Sequence, residues 1–172
     1  MAYSYRVMVF WLSVCLSLAG AAFAQNIQTK ASHAVIMDGE TGQILFSKDG
    51  ETPIPPASMS KLMTVGVVLD LIEKGKLSPD TRFKVSEKAW RTGGSKMFVL
   101  VNDEIRVDDL LKGIITLSGN DATVVVAENI AGNEAAFAKL MNERAEAWGL
   151  EQSSFSNPHG LSDEDQRMSA AD

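Results

Sequence analysis

The chain has 172 residues, with 16 Lys+Arg against 22 Asp+Glu, 45% hydrophobic residues and 22% charged ones. That is one ordinary domain's worth of chain. A formal charge of −6 and a pI near 4.9 leave no broad basic surface for a phosphate backbone, so nucleic-acid binding is disfavoured. With 5 Pro and 13 Gly, the composition is neither fibrous nor disordered.

Residues 1–24 read as a secretory signal peptide and not as part of a fold. Arg6 stands near the start, an apolar run from Val7 to Leu18 is broken only by serines, and Ala22-Phe23-Ala24 precedes Gln25. The run is shorter than the ~20 apolar residues of a spanning helix. Cleavage is expected after Ala24, with an uncleaved anchor as the weaker alternative. It leaves residues 25–172, or 172 − 24 = 148 residues, with 15 Lys+Arg against 22 Asp+Glu and without Cys15, the only cysteine. No disulfide or thiol chemistry remains. Export without cysteine suits a bacterial periplasmic protein large enough to fold without staples.

Along the remaining chain, Ala34-Val35-Ile36-Met37 and Gln43-Ile44-Leu45-Phe46-Ser47 flank an Asp38-Gly39 turn and predict an antiparallel hairpin. Pro53, Pro55 and Pro56 then stop regular structure. Residues 58–73 predict a helix whose apolar residues go almost all the way round, which places it in the interior. Lys74-Gly75 ends it. Residues 77–106 are turn-rich and predict short strands or loops. Helices are predicted over 107–117, 121–130 and 134–148, the last closed by Gly149, with acidic first turns. Phe137 and Trp148 fit core positions of the last helix. Met168 to Asp172 suits the beginning of another. No repeat, linker or low-complexity tract marks a domain boundary.

Chemistry concentrates at Ser58-Met59-Ser60-Lys61. A spacing of three on a helical turn lets the Ser58 hydroxyl and the Lys61 amine meet. A neutral lysine there takes the serine's proton as the oxygen adds to a carbonyl, while the helix N-terminus favours the developing oxyanion. A bare Ser-x-x-Lys arises by chance roughly once in one or two chains of this length, so the motif alone is weak. Ser118-Gly119-Asn120, in a break between two predicted helices, is by itself as well explained as a turn with a helix cap. His33 and His159 are far apart and lack paired Cys or carboxylate spacing, so no metal is expected, and no cofactor. Glu164 and Asp165 read as a solvated loop.

Together, Ser-x-x-Lys followed by Ser-x-Asn is the pattern of penicillin-binding proteins and serine β-lactamases. Pro56-Ala57-Ser58-Met59-Ser60-Lys61-Leu62-Met63-Thr64, Gly94-Ser95-Lys96-Met97-Phe98, Ser118-Gly119-Asn120-Asp121-Ala122 and Asn157-Pro158-His159-Gly160-Leu161 extend it. Over essentially all of residues 25–172, the chain resembles the low-molecular-mass penicillin-binding proteins, the serine D-alanyl-D-alanine carboxypeptidases of the S11 peptidase type. The resemblance implies an α+β fold of the β-lactamase/transpeptidase type, a helical cluster beside an antiparallel sheet. It implies removal of the terminal D-alanine from peptidoglycan stem peptides, with β-lactams as inhibitors. It also makes Ser58 the acylated nucleophile, Lys61 its general base, Ser118 a proton relay to the leaving amine, and Asn120 a contact to the substrate amide.

The family's third motif, Lys-Thr-Gly on a later strand, has no match between Asn120 and Asp172. Arg91-Thr92-Gly93 is a decoy, since it precedes Ser118 in a glycine-rich break. The chain is therefore expected to be the N-terminal part of a longer enzyme, cut before its later strands. Loss of an oxyanion donor typically costs ~10²–10³ in rate, so the chain as written is expected to be impaired. A membrane anchor is expected only from regions absent here. A DD-endopeptidase of the same family, and a non-catalytic remnant that binds peptidoglycan or a partner, are the alternatives. A β-lactamase is disfavoured, because nothing after Ser-x-Asn supplies a glutamate and asparagine to activate the deacylating water.

Overall fold

The computed structural model describes residues 27–172, and every helix and strand below lies within Ala31–Asp172. The expected signal peptide and its cleavage site lie outside the described residues.

Strands β1 (Ala34–Met37) and β2 (Ile44–Lys48) form the expected hairpin, with Ala34 opposite Lys48, Ile36 opposite Phe46, and a register break between Ile36 and Met37. Its turn is set by Asp38, whose Oδ1 accepts from the Glu40 and Thr41 amides and from the Thr41 hydroxyl. Gly42, at φ +72°, donates back to the Asp38 carbonyl. A side-chain oxygen thus holds the chain in a turn that would otherwise leave its amides unpaired.

A 3-10 turn over Ala57–Ser60 runs into helix α1 (Lys61–Glu73), which stops at Lys74 with Gly75 left-handed at φ +66°. Strands β3 (Arg82–Lys84) and β4 (Glu104–Arg106) pair antiparallel as a second two-stranded sheet. Between them lies α2 (Glu87–Arg91), a helix where the sequence predicts short strands or loops. Its signal is Ser86, whose hydroxyl accepts from the Ala89 amide as an N-cap, followed by Glu87. Helices α3 (Val107–Leu117), α4 (Asn120–Ala131) and α5 (Glu134–Ala147) follow. The class is α+β, as the resemblance implies.

Helix α4, not α1, is the central helix. Asn120 through Ala127 are all buried, and Val124, Val125 and Val126 are at most 1% exposed. Small and β-branched side chains let α2, α3, α5 and β3 approach it from several sides. The expectation that α1 is interior on every side is corrected: it turns Met63, Thr64, Val67 and Val68 inward, where it meets α3 and α5, while Leu62 is 61% exposed and Leu69 50%. An all-round apolar pattern states what a helix could bury, and its neighbours here take up one side of it.

Phe137 is fully buried as expected, but Trp148 is 44% exposed and is not a core residue. Its ring edge lies against Gly66 of α1, where a Cβ would meet ring carbons at 3.1 and 3.2 Å. Gly66 thereby opens a groove for an aromatic ring at the cost of helix propensity. Residues 168–172 form no helix. Met168 exchanges both backbone hydrogen bonds with Ile54 in an isolated antiparallel bridge, which keeps it extended. Ser169 Oγ nevertheless accepts from the Asp172 amide at 3.0 Å, the bond an N-cap makes.

Candidate active site

Ser58 sits exposed in the 3-10 turn, just after Ala57, a non-glycine residue in the left-handed region at φ +47°. Lys61 opens α1 and is 5% exposed. The three-residue spacing brings them together as the sequence predicts: Lys61 Nζ donates to Ser58 Oγ at 3.1 Å. It also donates to the His159 carbonyl at 2.6 Å. Burial pushes the Lys61 amine below its ordinary value, because desolvation disfavours the charged form. A base for neutral chemistry needs that direction of shift.

Ser118 ends α3 in the left-handed region at φ +55°. A non-glycine residue there is strained by about 1–2 kcal/mol, and the surroundings must hold it. The Gly119 amide donates to the Gly113 carbonyl, and Asp121, 1% exposed, accepts from the Met97, Val99 and Ala122 amides at 3.0, 3.2 and 2.9 Å. One buried carboxylate therefore ties the 95–99 loop to the start of α4, directly behind Ser118. Ser58, Lys61 and Ser118 open on one cleft, walled by Leu62, Val65, Ile114 and Ile115.

Asn120 lies outside the residues lining that cleft. It is 4% exposed, its Nδ2 donates to the Gly93 carbonyl at 2.8 Å, and its backbone amide donates to the Ser95 carbonyl at 2.8 Å. Its observed work is to pin the glycine-rich loop 93–95 against α4. The string Arg91-Thr92-Gly93 runs from the end of α2 into that loop and is no strand.

The sequence reading passed over three contributors. His159 supplies the carbonyl that holds Lys61. Its imidazole Nε2 meets Glu134 Oε2 at 3.0 Å, and Glu134 Oε1 meets Lys88 Nζ at 2.6 Å. Gln166, 2% exposed, accepts from the Ser156 and Asn157 amides and donates to Ser60 Oγ at 2.9 Å, which fastens the 156–160 loop to the turn that carries Ser58. The sequence places Asn157-Pro158-His159-Gly160-Leu161 among the segments that carry the resemblance, and the fold gives its His159 carbonyl a partner in Lys61. Glu164 and Asp165 are exposed, immediately before the buried Gln166. Among the described residues, no group of three or more His, Cys, Asp or Glu is arranged to hold a metal ion.

An exposed serine oxygen beside a desolvated amine, at the head of a helix and facing a second serine across a cleft, is equipped for acyl transfer through a covalent intermediate. The helical cluster with its small antiparallel sheets places the chain in the penicillin-binding class. It superposes on the crystal structure of D-alanyl-D-alanine carboxypeptidase DacD from Francisella tularensis with a TM-score of 0.83 at 42% identity, covering 85% of this chain and 35% of that one. Penicillin binding protein 5 from Haemophilus influenzae gives a TM-score of 0.80 at 38% identity, over 84% of this chain and 43% of that one. The D-alanyl-D-alanine carboxypeptidase DacF of Bacillus subtilis is 38% identical over 164 residues, 91% of this chain and 42% of that protein. The family model described as D-alanyl-D-alanine carboxypeptidase, peptidase S11, matches residues 20–172, and the chain belongs to that family. It spans about two fifths of the length of these curated relatives.

Proposed function

We propose that these residues carry the serine acyl-transfer site of a D-alanyl-D-alanine carboxypeptidase that trims peptidoglycan stem peptides and is acylated by β-lactams. The observation that carries the reading is the Lys61 Nζ to Ser58 Oγ contact at 3.1 Å with Lys61 buried. Once Lys61 is neutral, the same contact carries the Ser58 O–H to the amine's lone pair. Ser58 Oγ adds to the carbonyl of the penultimate D-alanine as its proton passes to Lys61, and the oxyanion forms near the head of α1. The C–N bond breaks, the departing D-alanine amine takes a proton relayed through Ser118, and water then hydrolyses the ester. Asn120 contributes to amide recognition in this reading, and its hold on Gly93 supports the same side of the site. The solved family structures include an ampicillin-bound penicillin-binding protein D2 from Listeria monocytogenes, which supports Ser58 as the β-lactam target.

The reading includes export to the bacterial periplasm, with residues 1–24 removed as a signal peptide and residues 25–172 belonging to the catalytic domain. N-terminal sequencing of the exported protein tests it, with Gln25 expected as the first residue. Among the described residues, no helix is long and apolar enough to cross a membrane.

The decisive experiment is intact mass spectrometry after incubation with a fluorescent penicillin. One covalent adduct is expected, absent in Ser58→Ala and reduced at least ~10²-fold in rate in Lys61→Met. Muropeptide chromatography then reads release of D-alanine. A folded chain that takes up no penicillin would overturn the reading in favour of a non-catalytic binding role.

A further inference from the structure

We propose that Glu134 and His159 are positioning residues for Lys61: together they fix the 157–161 loop so that the His159 carbonyl engages one N–H of Lys61 and leaves its lone pair facing Ser58. This rests on the reading of Lys61 as the base.

The protonation of the imidazole follows from its partners. The Leu161 amide donates to His159 Nδ1 at 3.1 Å. An amide N–H can only donate, so Nδ1 is the bare nitrogen and Nε2 carries the proton. Nε2 therefore donates to Glu134 Oε2 at 3.0 Å, while Glu134 Oε1 takes Lys88 Nζ at 2.6 Å. The ring is committed at both nitrogens and its side chain is 11% exposed. Three segments distant in sequence, α2, the first turn of α5 and the 157–161 loop, meet at the Glu134 carboxylate, which takes Lys88 on one oxygen and the imidazole on the other. The same residue's carbonyl lies 2.6 Å from Lys61 Nζ, the shorter of that amine's two contacts.

A neutral amine has two N–H bonds, one lone pair and free rotation about Cε–Nζ. It acts as a base only while the lone pair faces the serine. An acceptor that takes one N–H restricts the rotor, and its value depends on where the carbonyl is held. The flanking contacts hold the loop along its length: Thr64 Oγ1 donates to the Pro158 carbonyl at 2.7 Å, and the Gly160 amide donates to Asn157 Oδ1 at 2.8 Å. The Gly160 amide shares its peptide plane with the His159 carbonyl, so that carbonyl is held from one side by Asn157 and from the other through the His159 side chain.

The test follows the Lys61 Nζ resonance by nitrogen-15 NMR in the 172-residue chain, assigned by its loss in Lys61→Arg, alongside the kinetics of acylation by a fluorescent penicillin. In His159→Ala, exchange protection of the Lys61 amine protons is expected to fall ten-fold or more. Acylation slows by a similar factor, with no change in the preceding non-covalent affinity. His159→Gln, whose amide N–H reaches the same Glu134 oxygen, restores both to within about three-fold. Glu134→Ala behaves as His159→Ala, and the double variant is no worse than either. Melting of each variant is measured beside it, and Glu134→Ala carries the test if His159→Ala fails to fold. A Lys61 resonance unmoved in Glu134→Ala, or a His159→Gln variant as impaired as a stable His159→Ala, overturns the proposal. A Lys61 resonance that moves while acylation does not supports the positioning and counts against Lys61 as the base.

Discussion

Gly160 packs so tightly on Ala57 that a methyl group placed on it would overlap the Ala57 carbonyl oxygen and crowd Ser60 Oγ to 2.5 Å. The two residues belong to segments about a hundred positions apart, and their contact seats the 157–160 loop beneath the turn that presents Ser58. Gly160 is also left-handed at φ +84°, where an alanine is strained by about 1 kcal/mol. The obstacle is backbone and cannot rotate away, so Gly160→Ala is expected to cost about 2–4 kcal/mol in all. Urea unfolding reads the stability. The penicillin acylation rate of the remaining folded protein is expected to fall as well, because relief of the overlap must move either Ala57 or the His159 carbonyl. Wild-type acylation in a destabilised variant would show that the contact supports the fold alone.

Ser118 carries the opposite balance. Its left-handed backbone at φ +55° is one that glycine adopts without penalty. No core packing depends on its small side chain, which opens on the cleft. Ser118→Gly is therefore expected to raise unfolding free energy by roughly 0.5–1 kcal/mol while slowing turnover. Strain kept at a position where it lowers stability fits a residue retained for chemistry. Equal or lower stability of the glycine variant by urea titration would remove that argument for Ser118.

The contrast between these two sites shows what a linear sequence can display. The Ser58–Lys61 contact is local, three residues on one helical turn, so the motif already contains its geometry. The hairpin and helices α3 to α5 announce themselves through turn chemistry, periodicity and caps. The His159 carbonyl leaves no such mark, because a backbone oxygen is the same for every residue and gains its role from a fold that brings position 159 to position 61. Gln166 is hidden for a related reason: a polar residue between Asp165 and Arg167 reads as surface, and only long-range closure buries it. Helix α1 is only half interior, since apolar side chains on all faces permit full burial without saying which neighbours will arrive. Trp148 is not legible as a surface ring because its packing partner is an absence of side chain at Gly66.

Asp121 is the buried joint between the 95–99 loop and α4. Its carboxylate accepts three amides, from Met97, Val99 and Ala122, at 2.9–3.2 Å. Asn at this position keeps the shape but replaces one acceptor oxygen by an NH₂ that must face a donor. With hydrogen bonds to a charged group worth about 1.5–3 kcal/mol each, Asp121→Asn is expected to lose about 2–4 kcal/mol. Hydrogen exchange locates the damage: the Met97 and Val99 amides should exchange much faster at pH 7, while amides of α5 follow only the global change. Uniform acceleration across the chain would mean that the carboxylate supports general stability and not this loop in particular.

Glu134 gives the fold an acid limit that can be read separately. The hydrogen bond from His159 first, and then Lys88, lower its carboxyl from 4.5 to about 2, against the opposing effect of burial. A carboxylate whose folded value is depressed contributes stability that is complete above the unfolded value and is lost as pH falls through the folded one. The window therefore runs from about pH 4.5 down to about pH 2. Glu134 is 17% exposed, so solvent screening removes little, and the shift corresponds to a contribution on the order of 3 kcal/mol. Asp70 and Asp108 are also held below their ordinary values, by hydrogen bonds from Lys74 and Lys112. The informative quantity is thus the difference between wild type and Glu134→Gln. Urea unfolding at a series of pH values is expected to give a gap that is constant from pH 7 to about pH 5 and closes steadily toward pH 2. A gap that stays constant through that window would mean that the carboxyl is not held ionised by its partners, and that the charge on Glu134 does not strengthen its hold on the His159 ring.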